Sequence, residues 1–201
     1  MLTGTVISDE FNKGTIKLLL VRPYSRRKIL LSKLIACLIA LIVSILIITA
    51  IQIVFSGFTY GFGTINVPAI IYNYNTNSIV TMNVFVYMLI NLLKISPLII
   101  ILALVAFMIG TLSANTAVAI VVSFLLYFVS SIMQQLVTLF QVKWLMFIPT
   151  LNWDLTQYSY GSLPVIQGMT LGLSIAICAV TVIAMLVTTF EVFARKDIKN
   201  V

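Results

Sequence analysis

The run ILLSKLIACLIALIVSILIITAIQIVF, Ile29–Phe55, decides the fold. Past Lys33 it carries no charge, and none returns before Lys94. It exceeds the roughly 20 apolar residues that cross a bilayer core, and it lacks Pro and Gly, so it reads as a membrane-spanning helix. Directly before and overlapping it stands GTIKLLLVRPYSRRKILLSK, Gly14–Lys33, which holds Lys17, Arg22, Arg26, Arg27, Lys28 and Lys33 of the chain's 12 lysines and arginines.

The rest of the chain follows the same pattern. Hydrophobic residues make up 61% of the 201 and charged residues 8%, against about 45–50% and about 25% in soluble domains. Residues 95–142 and 155–190 are also free of charge. The runs are continuous and do not alternate over about ten residues, which points to helices and away from barrel strands. The first apolar run starts too far in, and runs too long, for a cleavable signal peptide.

These residues predict an all-α polytopic protein, a single transmembrane domain over 1–201. Spans are expected at 29–55, 84–112, 116–133 and 168–190, with a loop at 56–83 and a tail at 191–201. Pro97 is expected to break or kink the second span, and GTLSAN, Gly110–Asn115, to turn between the second and third. Residues 134–167 are interrupted by Lys143, Pro149, Asp154 and Pro164 and carry Trp144, Trp153, Tyr158 and Tyr160. They read as short interfacial or re-entrant helices on the outer face, because aromatic rings with one polar atom gather at headgroup level.

Charge orients the spans. With four crossings both termini share a side, and that side holds Lys13, Lys17, Arg22, Arg26, Arg27, Lys28, Lys33, Arg195, Lys196 and Lys199. The positive-inside rule makes it cytoplasmic. The net charge of +7 is thereby a topology signal facing the bilayer and not a nucleic-acid surface.

Chemistry is sparsely represented. There is no histidine, the five acids (Asp9, Glu10, Asp154, Glu191, Asp197) are scattered, and no nucleotide-binding loop fits the nine glycines. The chain is read as a non-enzyme with no cofactor of its own. Cys37 and Cys178 fall inside spans and read as packing residues, not as a disulfide. Lys94, the lone charge within a span, reads as a cation that snorkels to the headgroups in preference to one lining a substrate path. Asp154 is a candidate partner for Lys94 or Lys143. Gly168 and Gly172, with Ser174, Ala176 and Ala179, offer a small-residue face for helix contact.

The basic segment divides at Pro23. Ser25 is placed to cap the entering helix, with Arg26, Arg27 and Lys28 in its first turn. Upstream, Ile16, Leu19 and Leu20 share one face of a short helix bracketed by Gly14 and Pro23, which serves either to dock a cytosolic partner or to anchor to lipid.

The order E-x-x-x-G-T-I-K-L-L-L-x-x-P-x-S-R-x-x-I-L-x-x-K, carried by Glu10, Gly14, Thr15, Ile16, Lys17, Leu18, Leu19, Leu20, Pro23, Ser25, Arg26, Ile29, Leu30 and Lys33, resembles the cytoplasmic loop of bacterial ABC type-2 permeases. The tail F-x-x-F-A-R-K-D-I, Phe190–Ile198, and the WD-L-x-Q-Y segment, Trp153–Tyr158, are similar to patterns in the same family. The resemblance implies the permease subunit of an ATP-driven transporter, an exporter, in the bacterial plasma membrane. It implies a separate ATPase holding ATP and magnesium, a second permease copy or homologue, and a cytoplasmic coupling loop over residues 1–28, a short helix of which touches the ATPase. In the family this loop joins the second and third of six spans, so two N-terminal spans are expected to be missing, as in a fragment or a shortened subunit. The alternative is a non-transporting membrane accessory or immunity protein.

Overall fold

A computed structural model describes residues 25–61, 63, 68–74, 77–113 and 115–195. Four long helices dominate it: α1 (Arg26–Tyr60), α2 (Val84–Ser113), α3 (Thr116–Phe140) and, after a one-turn α4 (Pro149–Asn152), α5 (Leu171–Arg195). Each of the four long helices is long and apolar enough to cross a membrane. Apolar side chains surround α1 on every side, and Phe58 near its end is 78% exposed; a helix of that kind needs lipid or protein around it.

Local chemistry sets the ends. Ser25 occupies the N-cap position of α1, but its side chain makes no capping bond; only its carbonyl accepts, from the backbone of Lys28 at 2.9 Å and Ile29 at 3.2 Å. Asn115 does cap α3, its Oδ1 accepting from the Ala117 and Val118 amides at 2.9 and 3.4 Å. GTLSAN is thus split, its first residues finishing α2 and its last starting α3. At the far end α3 continues past Met133 to Phe140, where Gln141 turns left-handed at φ 49°. α1 likewise runs through Ser56 and Gly57 before Gly61 stops it at φ 85°.

Pro97 does not end α2. A proline has no N–H for the carbonyl four residues back, here that of Leu93. The Ser96 hydroxyl donates to that carbonyl at 2.7 Å, which repairs the gap where no water is at hand.

The expected loop over 56–83 is where the fold departs from a purely helical one. Strands β1 (Pro68–Asn73) and β2 (Ser78–Asn83) form an antiparallel hairpin, in register from Pro68 opposite Asn83 to Asn73 opposite Ser78. Ile70, Ile71, Ile79, Val80 and Thr81 are β-branched residues that suit a pleated ladder. Asn83 then accepts from the Phe85 amide at 2.8 Å and starts α2.

Helix α2 is the centre of the bundle. Its Leu104 and Phe107 pack with Leu30, Leu34 and Cys37 of α1 and Phe193 of α5. Its Leu98, Ile101 and Val105 pack with Trp153 and with Cys178 of α5. A third cluster joins Val137 of α3 to Leu151, Val165, Ile166 and Met169. Both cysteines are free and buried, in different clusters. Gly168 sits outside any helix at φ 97°, three residues before α5 begins, so Gly168 and Gly172 do not form one small-residue helix face.

Candidate functional site

The expected site residues Glu10, Gly14, Thr15, Ile16, Lys17, Leu19, Leu20 and Pro23 lie outside the described residues. Ser25 and Arg26 stand at the start of α1. At this end the Glu191 carboxylate of α5 accepts from Arg27 of α1 at 3.2 Å and from Arg195 at 3.3 Å. The first and last helices are therefore joined by charge where the basic segment enters. The pairs are solvent-exposed, so each is worth little for stability, at most about 1 kcal/mol.

The opposite end carries a denser arrangement, a strap running from Gln141 to Thr170 across the ends of α2, α3 and α5. It contains 3-10 turns at Lys143–Phe147 and Leu155–Tyr158, with α4 between them. Three carboxamides build it. Gln141 links its entry to its exit, donating to Val165 O at 3.1 Å and accepting from the Gln167 amide at 3.1 Å. Gln157, buried, donates to Leu151 O at 3.1 Å and Asp154 O at 3.0 Å and accepts from the Val165 amide at 3.0 Å. Asn152, 0% exposed, donates to Met146 O at 2.8 Å and Ile148 O at 2.9 Å.

Asn152 also ties the strap to the bundle. Its Oδ1 accepts from Ser174 Oγ of α5 at 2.6 Å, and Ser174 Oγ shares a 2.6 Å bond with the Tyr158 hydroxyl. Cys178 Sγ donates to Asn152 O at 3.1 Å, and Ser130 Oγ of α3 donates to Thr150 O at 2.9 Å. Burial pushes the Tyr158 hydroxyl above its ordinary pKa, opposed in part by the Ser174 bond. Each bond is worth about 0.5–1.5 kcal/mol net, and an unpaired buried group costs about 1–3.

Among the described residues, Lys94 is the expected site residue that the strap engages. Its ammonium donates to Tyr158 O at 2.8 Å and lies 5.8 Å from the centre of the Tyr160 ring. Nearby, Ser159 Oγ donates to Asn91 Oδ1 at 2.5 Å and the Tyr87 hydroxyl to Tyr160 O at 3.3 Å. Lys94 thus ends on a backbone carbonyl of the strap. No ion pair joins it, or Lys143, to Asp154: Asp154 Oδ1 instead accepts from the Thr156 amide at 2.9 Å and the Thr156 hydroxyl at 2.6 Å.

The aromatic residues of the strap divide. Trp144 is 68% exposed, as an interfacial ring would be, whereas Trp153 is 3% exposed and packs against α2 and α5. The Trp153 Nε1 has no hydrogen-bond partner among the described residues. Gly161 closes the strap against the hairpin: its φ is 85°, and a Cβ there would stand 3.1 Å from Ile71 Cγ2.

Among the described residues no three His, Cys, Asp or Glu side chains come together. The arrangement can hold one end of a helical bundle shut, and can transmit movement at the other.

A family model described as "Protein of unknown function (DUF2705)" matches residues 1–199. The chain is 31% identical over 204 residues to "Uncharacterized protein YhcI" of Bacillus subtilis (strain 168), covering 100% of this chain and 63% of that protein. It is 32% identical over 199 residues to "Uncharacterized membrane protein YdbK" of the same organism, covering 99% of this chain and 76% of that protein. No solved structure matches. With four apolar helices and a relative described as a membrane protein, the chain is a multi-pass membrane protein.

Proposed function

The chain belongs to the DUF2705 family, and we propose that it is the membrane-spanning subunit of an ATP-driven ABC exporter, coupling a separate ATPase to alternating access. The observation that carries the reading is the Glu10–Lys33 sequence pattern, which resembles the coupling loop of ABC type-2 permeases and runs straight into α1. The Arg27–Glu191–Arg195 pairs support it, because a push delivered at the start of α1 reaches α5 at the same level.

In this reading the basic end is cytoplasmic, and the hairpin and strap face outward in a bacterial plasma membrane. ATP and magnesium stay on the ATPase, a second permease copy or homologue completes the path, and the strap closes its outer end. The uncharged lining of the groove between α1, α2 and α3 favours one alternative, a non-transporting membrane accessory or immunity protein.

A pull-down separates the two. The tagged chain, solubilised in detergent from a bacterial host that encodes it, should recover an ATPase bearing a G-x-x-x-x-G-K-[ST] loop, and Leu19→Glu should lose it. Recovery of no such ATPase with the intact chain would sink the transporter reading.

A further inference from the structure

Helix α2 is divided by its proline. All of its buried residues, from Leu98 to Thr111, follow Pro97, and no residue of Val84–Pro97 is buried. The inner half is therefore fixed by packing against α1 and α5. The outer half is held by hydrogen bonds to the strap. Tyr87, Asn91 and Lys94 stand on one stripe of the helix, at positions i, i+4 and i+7, and meet three consecutive strap residues. The Tyr87 hydroxyl donates to Tyr160 O at 3.3 Å, Asn91 Oδ1 accepts from Ser159 Oγ at 2.5 Å, and Lys94 donates to Tyr158 O at 2.8 Å. Such a zipper can part without opening a hydrophobic cluster.

The two halves meet where the helix is weakest. Pro97 leaves Leu93 O without its amide, and the bond that replaces it comes from the Ser96 side chain instead of the next turn's backbone. Proline and a back-bonding serine both mark places where helices bend. On the far side of the zipper the strap stays anchored: the Tyr158 hydroxyl and Asn152 both bond Ser174 of α5, and Ser130 of α3 bonds Thr150 O. Beside Pro97, Trp153 packs with Leu98 and Ile101, and its Nε1 has no hydrogen-bond partner among the described residues. Closure thus leaves a buried donor unmet, a cost that an opening which admits water removes.

We propose that α2 is hinged at Pro97: its outer half, Val84–Ser96, swings away from the strap together with the hairpin when the zipper of Tyr87, Asn91 and Lys94 parts. The outer half is about 20 Å long, so a change in bend of about 20° carries the hairpin about 7 Å from the strap. The same movement separates Ile71 from Gly161, which lie side by side. Only residues of this chain take part, and the hinge stands whether or not the chain couples to an ATPase.

The test measures spin-label distances in the full chain in nanodiscs. One pair, Ile79→Cys with Leu163→Cys, spans hairpin and strap at exposed positions; a second, Val180→Cys with Leu163→Cys, spans α5 and strap. Cys37 and Cys178 are buried, and the protein without added cysteines gives the blank. The first pair should show a main distance and a minor one about 7 Å longer. Asn91→Leu should raise the ratio of longer to shorter about threefold to fivefold, and Tyr87→Phe added to it about eightfold to thirtyfold over wild type. Pro97→Ala, which restores the missing N–H, should return that ratio to the wild-type value or below. A single unchanged distance in the double variant, or a ratio that Pro97→Ala leaves as it was, would overturn the hinge. So would a second-pair distance that lengthens in step with the first, because the strap would then be leaving α5. If Asn91→Leu does not fold, Tyr87→Phe, which deletes a single oxygen, carries the same comparison with and without Pro97→Ala.

Discussion

Replacing Asn152 by Leu keeps the volume of the side chain and removes its hydrogen bonding. Three bonds are lost, those to Met146 O, Ile148 O and Ser174 Oγ. Two of the abandoned groups keep other partners: Ile148 O still accepts from the Leu151 amide, and Ser174 still has Tyr158. Only Met146 O is newly orphaned. At about 1 kcal/mol per bond, or about 0.6 as averaged in membrane proteins, the loss is about 2–3 kcal/mol. For a chain of this size that corresponds to a fall in Tm of about 4–12 °C. Thermal unfolding in detergent, followed by the fluorescence of Trp153 as it leaves its cluster with Leu98, Ile101 and Cys178, reads the change directly. Asn152→Asp should be worse than the Leu variant, because a carboxylate keeps the acceptor for Ser174 but faces two carbonyls with no donor. An N152L protein within about 1 °C of wild type, or an N152D protein more stable than N152L, would refute the claim that this amide holds the strap.

Other substitutions probe the strap's remaining attachments. Lys94→Met removes the bond to Tyr158 O and the contact with the Tyr160 ring, and should cost about 1–3 kcal/mol, read as faster amide exchange over residues 155–163; transport lost in a complete complex without that loosening would return Lys94 to a substrate path. Gly161→Ala forces a Cβ into left-handed backbone beside Ile71 and should cost about 1–2 kcal/mol from the backbone alone, so that Ile71→Val relieves only the steric remainder. Tyr158 gives a pH signature. Burial raises its pKa in the folded state above the ordinary 10.0, so its contribution is whole below about pH 10 and is lost as pH climbs through the higher folded value; Tyr158→Phe should flatten that decline in an alkaline stability scan.

The four long helices were legible because an apolar run of twenty or more residues has few other fates. Their ends were less so. The third span was expected to end at Met133, yet α3 runs on to Phe140, and Gly57 was read as loop although α1 passes through it; the cost of a glycine in a helix, about 1 kcal/mol, is small beside the turns that continue on both sides. The hairpin had a readable signal, two runs rich in β-branched residues about an Asn-rich turn, which the count of Gly, Asn and Tyr over 56–83 obscured.

The short helices of the strap were expected over 134–167, but the bonds that hold them were not legible. Asn152, Gln157 and Gln141 draw their partners from residues up to 26 positions away, and Lys94 finds its acceptor 64 residues on. Spacing along the chain holds no trace of such pairs. A polar side chain in apolar surroundings says that a partner is needed, and only the packed bundle says which one it is.

The placement of the packing on α1 has a mechanical consequence. This helix of 35 residues is about 52 Å long, and its buried side chains, Leu30, Leu34 and Cys37, lie close to one end. Taken as a rigid rod pivoting at Leu34, it has a short arm of about 12 Å to Arg26 and a long arm of about 39 Å to Tyr60. A shift of about 1 Å at the basic end is thus multiplied to about 3 Å at the end leading to the hairpin. The fulcrum is three apolar side chains, and enlarging or shrinking any of them changes the gearing without touching either end.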